Sequence, residues 1–168
     1  MGTGNEESEY HAMKEKFFAA AREECLKSEF VGSCSAHVGA VAVFRGRVIA
    51  RGHNQNKTHP LQYEYNRFRF NTTSSHHYFP SFIHAEITVI SKIRNLDINF
   101  NEVVIYIYRE LRDGSIAMAR PCVSCYNAMR DLGIKKVAIN YLKDLADNFN
   151  YLYTSKSIRC WNSNILLL

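Results

Sequence analysis

The sequence is most informative at first for what it lacks. None of its apolar runs approaches the roughly 18 residues that a membrane-spanning helix needs, so we expect no membrane segment. The first ten residues are polar and acidic and lack the apolar stretch of a signal peptide. There is also no internal repeat and no linker-like segment. These absences lead us to expect one domain over residues 1–168 that works in the cytoplasm.

Cysteine is present in an odd number, five, which argues against a closed disulfide framework and suits a reducing compartment. Cys25, Cys34 and Cys160 are scattered and are predicted to be buried thiols. Cys122 and Cys125 are different, because they are separated by only two residues. Their spacing marks them as a pair of potential metal ligands.

Long runs of one charge are missing too, although the net charge is +5. Apolar residues make up 46% of the chain and charged residues 22%, which is ordinary for a globular protein. The excess of positive charge either keeps the surface well solvated or attracts a partner that carries phosphate, such as a nucleotide or a nucleic acid. Charge alone does not separate these two possibilities.

Apolar periodicity predicts an α/β protein. The predicted elements are a helix over Tyr10–Lys27, strands over Val38–Phe44 and Val48–Gly52, a helix over His84–Asn95, a strand over Val103–Tyr108, a helix over Pro121–Leu132, a strand over Lys136–Asn140 and a short helix over Asp144–Phe149. Gly133 is placed to end the helix that Pro121 opens. Helices that follow strands predict a three-layer α/β/α sandwich around a mixed sheet.

Between the second strand and the second helix, the pattern breaks. The segment from His53 to Pro80 contains no glycine, has four histidines, and carries six aromatic residues from Tyr63 to Phe79. It is too long for an ordinary connection, so we interpret it as a functional loop with short helical pieces, an insertion at about residues 55–83.

The insertion carries Lys57, Arg67 and Arg69 against a single acid, Glu64. These cations are candidates for a phosphate clamp, and the aromatic side chains could stack on a base. The same mixture would suit single-stranded nucleic acid. The alternative is that the aromatic residues pack the loop down or fill a subunit interface.

Two short strings carry the chemistry. His84-Ala85-Glu86 opens one predicted helix, and Pro121-Cys122-Val123-Ser124-Cys125 opens the next. They supply three ligands suited to zinc and one carboxylate that can move protons, which is the minimum for a hydrolytic zinc site with an open position for water. The competing interpretation is a structural zinc site, for which His76 or His77 would provide a fourth ligand.

The order H-x-E followed by P-C-x-x-C resembles the cytidine and deoxycytidylate deaminase superfamily. The long insertion is closer to the deoxycytidylate type. The resemblance implies a cytidine deaminase-like fold with Zn²⁺ bound by His84, Cys122 and Cys125. It implies that Glu86 takes the proton of the attacking water and passes it to the base. It also places Asn54, in Gly52-His53-Asn54, on the sugar, and we expect Ala85 to contact the substrate as well.

The leading hypothesis is therefore a zinc-dependent hydrolase that acts on the C–N bond of a cyclic amidine. It would convert a cytosine-type nucleotide or nucleoside, such as dCMP or CMP, to the uracil form with release of ammonia. A second hypothesis keeps this chemistry but acts on a base within single-stranded DNA or RNA. A third is a non-enzymatic binding module stabilised by zinc. Relatives in this superfamily commonly assemble, and the Leu-rich C-terminus suits a homo-oligomer.

Overall fold

The computed structural model describes residues 15–29, 36–69 and 82–140, together with the backbone of residues 151–153. Within these residues, no helix is both long enough and apolar enough to cross a bilayer. The predicted helix at 144–149, the C-terminal tail, Cys34, Cys160, His76 and His77 lie outside the described residues, as do residues 70–81 of the insertion.

A five-stranded mixed sheet forms the centre of the fold. Its strands are β1 (Ala36–Phe44), β2 (Arg47–His53), β3 (Val103–Leu111), β4 (Lys136–Ile139) and β5 (Tyr151–Tyr153), in the spatial order β2-β1-β3-β4-β5. Strand β1 is antiparallel to both β2 and β3, β3 is parallel to β4, and β4 is antiparallel to β5. The hairpin between β1 and β2 turns at Arg45 and Gly46, both with positive φ, as a tight two-residue turn requires.

Helices cover both faces of this sheet. They are α1 (residues 15–25), α2 (Pro60–Asn66), α3 (Ala85–Ile93) and α4 (Val123–Asp131), with a short 3₁₀ helix at Phe100–Glu102. Helix α1 packs on one face, whereas α2, α3 and α4 lie on the other. The predicted three-layer α/β/α sandwich is therefore confirmed.

Strict alternation along the strands separates the two cores. On β3, Ile105 and Ile107 point toward α3 and α4, while Tyr106 and Tyr108 point toward α1. The rings of Phe17 and Phe18 each lie 5.2 Å from the ring of Tyr106. On the opposite face, α3 contributes its predicted inward residues, Ile87, Ile90 and Ile93, all of them buried. The nearly continuous apolar runs in β1 and β3 reflect burial on both faces.

Two predicted helices are shorter than expected at their starts. Helix α3 begins at Ala85 rather than His84, and α4 begins at Val123 rather than Pro121. His84 and Cys122 instead are N-cap residues with extended backbone. The end of α4 follows the prediction, because Gly133 has a φ of +91° and its N–H donates to the carbonyl of Arg130.

Close approach of α1 to the sheet depends on Gly39 in the middle of β1. A Cβ at this position would collide with the carbonyl oxygen of Ala21 and with the backbone of Cys25. Because both obstacles are main-chain atoms of a helix, they cannot move aside as a flexible side chain would. Gly39 therefore sets the distance between α1 and the sheet.

We expect Gly39→Ala to lower the free energy of unfolding by about 3 kcal/mol, at the upper end of the usual cost of overpacking. Gly46→Ala is the comparison: nothing lies within 4 Å of its Cβ position, so only its positive φ of 74° opposes the substitution. That backbone strain costs about 1–2 kcal/mol. Urea denaturation of both variants measures the difference, and a larger loss for Gly46→Ala would contradict this account of Gly39.

Candidate metal centre

The candidate site lies at one edge of the sheet, where two helices begin. Strands β2 and β3 both run antiparallel to β1 and therefore point in the same direction, so their carboxyl ends share one edge. After these ends the chain reaches α3 and α4, whose N-caps are His84 and Cys122. Helix N-termini carry partial positive charge and unpaired N–H groups, which favour thiolate and carboxylate side chains nearby.

Three potential ligands meet between the two helix starts. Nδ1 of His84 lies 3.5 Å from Sγ of Cys122 and 3.3 Å from Sγ of Cys125, and the two sulfur atoms are 3.5 Å apart. Around a tetrahedral zinc with normal bond lengths, such ligand atoms would be about 3.5–3.8 Å from one another. The donor set and its spacing therefore fit zinc with little movement. Within the described residues, this is the one group of three or more such side chains gathered closely enough to hold a metal ion.

The three candidate ligands differ in how readily they would lose a proton to a metal ion. The hydrogen bond between Cys122 and Cys125, together with His84, lowers the pKa of Cys122 to about 3. Burial tends to lower the pKa of His84, but the hydrogen bond and charge of Cys122 outweigh it and raise that pKa. Burial raises the pKa of Cys125. The lowered pKa of Cys122 favours a thiolate at the position where a metal ion would bind.

The predicted proton carrier, Glu86, lies beside these ligands. It is in the first turn of α3, only 5% exposed, and its carboxyl group lies close enough to the Cys125 thiol for each group to influence the pKa of the other. Burial raises the pKa of Glu86. A metal cation would act in the opposite direction, because a nearby positive charge favours the ionised carboxylate. The charge of Glu86 would therefore respond to a cation bound at the candidate site.

The backbone before α3 is held by the insertion. The N–H of Ile83 donates to the carbonyl of Lys57, and the carbonyl of Ile83 accepts from Gln55. The N–H of His84 donates to Oε1 of Gln62, a completely buried side chain of α2. Sequence reasoning missed Gln62, and the weak signal that could have indicated it is a Gln within a segment that also contains buried apolar Leu61.

Strand β2 packs against the same turn of α3. A Cβ on Gly52 would lie 2.8 Å from both the carbonyl oxygen of Ala85 and Cβ of Thr88. The hydroxyl of Thr88 lies 3.1 Å from the carbonyl of His84 and 3.3 Å from that of His53. The absence of a side chain at Gly52 therefore allows the turn that carries His84 to sit directly on the strand.

The predicted sugar ligand, Asn54, follows β2 at this edge and is buried. Its Oδ1 accepts the N–H of Val38 at 2.8 Å and its Nδ2 donates to the carbonyl of Glu29 at 3.2 Å. An amide can accept two hydrogen bonds and donate two, so one of each is still available. The sugar contact of Asn54 stays a prediction.

The other residues that were predicted to bind the substrate lie in different surroundings. Nη1 of Arg69 lies 3.4 Å from Nε2 of His84, whereas the guanidinium of Arg67 covers the ring of Phe68 at 4.9 Å. The main-chain carbonyl of Lys57 accepts the N–H of Ile83, as described above. Ala85 is completely buried, so its methyl group packs in the core. Among the described contacts of the three predicted cations, that of Arg69 reaches a candidate ligand directly.

Aromatic residues of the insertion do not share one environment. Tyr65 packs against the main core and against Phe68, whose ring centroid is 6.0 Å away. Tyr63 is 75% exposed and Phe68 is 40% exposed. Tyr65 therefore packs the loop down, whereas Tyr63 is exposed in the single chain, as either a base-stacking or a subunit-interface side chain would be.

Comparisons with known proteins agree with this architecture. Residues 11–141 match the family described as "Cytidine and deoxycytidylate deaminase zinc-binding region". A comparison with curated protein sequences returns no match.

Two solved structures share the fold. The apo dCMP deaminase from the cyanophage S-TIM5 is 21% identical, with 79% of this chain and 86% of that chain covered and a TM-score of 0.52. A cytidine deaminase from Burkholderia pseudomallei is 17% identical, with 86% and 94% covered and a TM-score of 0.55. Since the family match takes in most of the chain, including both strings of candidate ligands, the chain belongs to the cytidine and deoxycytidylate deaminase zinc-binding family.

Proposed function

We propose that the protein is a zinc-dependent hydrolytic deaminase of a free cytosine nucleotide or nucleoside, with dCMP or CMP as the preferred class of substrate. The observation that carries the proposal is the buried carboxyl group of Glu86 beside three closely spaced zinc ligands. Burying a carboxyl group without a charged partner is costly. A structural zinc site would have no need of such an ionisable group, so its presence favours a catalytic site.

His84, Cys122 and Cys125 would hold the zinc. When bound, zinc lowers the pKa of water to about 7, so hydroxide becomes available at neutral pH. The carboxylate of Glu86 accepts the proton of the attacking water and delivers it to ring nitrogen N3 of cytosine. Once the water oxygen is bonded to C4, Glu86 takes the remaining proton from that hydroxyl and passes it to the amino group. The C4–N bond then breaks, the amino group leaves as ammonia and C4 becomes the uracil carbonyl.

The buried position of Glu86 supports this role. A carboxyl group kept from bulk water has a raised pKa, which makes it a better proton acceptor and brings its pKa nearer to the working pH. Its place in the first turn of α3, two residues after His84, directs it toward the metal from the side of α3, while the two thiols come from α4.

Phosphate recognition is assigned to Arg69, whose guanidinium lies against His84 at the site. Lys57 and Arg67 belong to the same segment and are proposed to strengthen the positive field around it, and Asn54 is proposed to contact the sugar. The described cysteines are all free, which suits a reducing compartment, and we place the protein in the cytoplasm.

Arg69→Ala should therefore raise KM for dCMP by about tenfold or more, the cost of losing one charge-assisted hydrogen bond. KM for deoxycytidine, which has no phosphate, should change little. Steady-state ammonia release with both substrates measures the two effects. Arg45→Ala is a suitable control, because Arg45 is an exposed cation paired with Glu102 at the hairpin turn. An equal rise of KM for both substrates would argue against a phosphate contact.

A second candidate substrate is a cytosine within single-stranded DNA or RNA. The exposed rings of Tyr63 and Phe68, together with the guanidinium of Arg67 over Phe68, form the kind of surface on which bases stack. A panel of dCMP, CMP, deoxycytidine, cytidine and a cytosine-containing oligonucleotide distinguishes the two. Ammonia release confined to the oligonucleotide would overturn the proposal for free nucleotides.

A further inference from the structure

The zinc ligand His84 has a main-chain N–H that the helix itself cannot satisfy. His84 is the N-cap of α3, so its N–H precedes the first intrahelical hydrogen bond. Its imidazole is directed at the two thiols, and it makes no side-chain capping bond. A partly buried N–H of this kind needs an acceptor from elsewhere in the chain, since leaving it unpaired costs about 1–3 kcal/mol.

Gln62 supplies that acceptor from α2, 22 residues earlier in the chain. Its Oε1 accepts the N–H of His84 at 3.0 Å, and its Nε2 donates to Oδ1 of Asn66 at 2.9 Å. Because the N–H of His84 can only donate, the atom that faces it must be the oxygen of the amide. The amide nitrogen of Gln62 then faces Asn66 and donates to it, so the two contacts fix the orientation of the Gln62 side chain.

Burying the polar amide of Gln62 costs free energy unless its hydrogen bonds are made, which indicates that its contact with His84 is important for this position. Gln62 is completely buried and Asn66 is 7% exposed, and both are on the face of α2 that packs toward α3 and α4. A leucine at position 62 would occupy such a place without any polar group to satisfy. The amide is therefore useful at this position because of the hydrogen bonds that it makes.

We propose that Gln62, oriented by Asn66, is a positioning residue for zinc: it holds the main chain of His84 so that Nδ1 faces the two thiols. The insertion would then have a role at the metal as well as at the substrate. This inference rests on the zinc site and not on the identity of the substrate. Partners that orient metal ligands from outside the coordination sphere typically contribute 10- to 100-fold to metal affinity.

The test compares Gln62→Leu, Gln62→Glu and the unmodified protein. Gln62→Leu keeps the size but removes the acceptor, and we expect about a 10- to 100-fold weaker affinity for zinc in competition with a chelator. Gln62→Glu, whose neutral carboxyl group can accept from His84 and donate to Asn66, should restore most of that affinity. Cobalt(II) loading adds a spectroscopic readout, because a displaced imidazole changes the thiolate-to-cobalt absorption bands.

Val43→Ala provides the control for a loss of stability alone. Val43 is buried in the core beneath α1, on the opposite face of the sheet, and its truncation leaves a cavity far from the ligands. We expect that variant to unfold at a lower temperature while its zinc affinity and its cobalt spectrum stay unchanged. A role for Gln62 in packing only would give the same result for Gln62→Leu.

A folded Gln62→Leu variant with the zinc affinity and cobalt spectrum of the unmodified protein would overturn the proposal. If Gln62→Leu does not fold, Asn66→Ala decides the question, because it frees the Gln62 amide without removing it. Retained affinity in Asn66→Ala would then contradict the proposal, and a several-fold loss with an altered cobalt spectrum would support it. None of these measurements depends on deaminase activity, so a failure of the proposed function would be recognised separately.

Discussion

Glu86→Gln is expected to lower kcat for cytosine deamination by about 10³-fold or more, near the upper end of what general acid–base catalysis contributes. The substitution keeps the size of the side chain but replaces a carboxylate that accepts protons with an amide that does not. Zinc content should not change, since Glu86 is not among the three clustered ligands. Ammonia release and metal analysis on the same preparation measure the two effects together.

Glu110→Gln is the matched control for that substitution. Glu110 is also a buried glutamate, but it lies on β3 and pairs with Arg22 of α1. We expect Glu110→Gln to retain kcat, with at most a modest loss of stability. Full activity in Glu86→Gln would exclude Glu86 as the proton carrier, and loss of zinc in that variant would show that Glu86 supports the metal instead.

The main part of the candidate site could be predicted from the sequence because its chemistry is local. Cys122 and Cys125 are three positions apart, and Glu86 is two positions from His84, so the short chain between the members of each pair keeps them close together. The alternation of strands and helices likewise predicted the layers. What brought His84 to the thiols was the topology of the sheet, which places the starts of α3 and α4 at one edge.

Gln62 could not be predicted in this way, because its role depends on a contact across the fold. Helix α2 is only seven residues long and shows no clear apolar period, so the sequence gives little indication of which face is buried. Glutamine is usually exposed, and the apolar Leu61 beside it is only a weak indication of an exception. His84, the residue that Gln62 contacts, is separated from it in the sequence by residues that show no apolar periodicity.

Close packing at glycine is a second feature that the sequence did not reveal. Gly39 lies within a strand rich in β-branched and small residues, where glycine would ordinarily weaken the strand. Its importance comes from α1, which approaches from another part of the chain. The resemblance did draw attention to Gly52, but the reason for glycine there, the contact with the first turn of α3, appears only in three dimensions.

Cys125→Ala should abolish high-affinity zinc binding, with a loss larger than the about 10- to 100-fold attributed to residues outside the coordination sphere. It removes one of three ligands from a completely buried position at the start of α4. Zinc at about 1,000 times its Kd would stabilise the unmodified protein by about 4 kcal/mol, and the variant should lose that gain. Thermal unfolding with zinc and with chelator measures it.

Cys25→Ala separates the loss of a ligand from the loss of a buried thiol. Cys25 is equally inaccessible, but it lies in α1 on the other face of the sheet, and burial raises its pKa to about 11, so it stays a neutral thiol. Its removal should lower the melting temperature in zinc and in chelator alike and leave the difference between them intact. If Cys125→Ala also kept that difference, His84 and Cys122 would suffice for the metal, and the three-ligand site would be wrong.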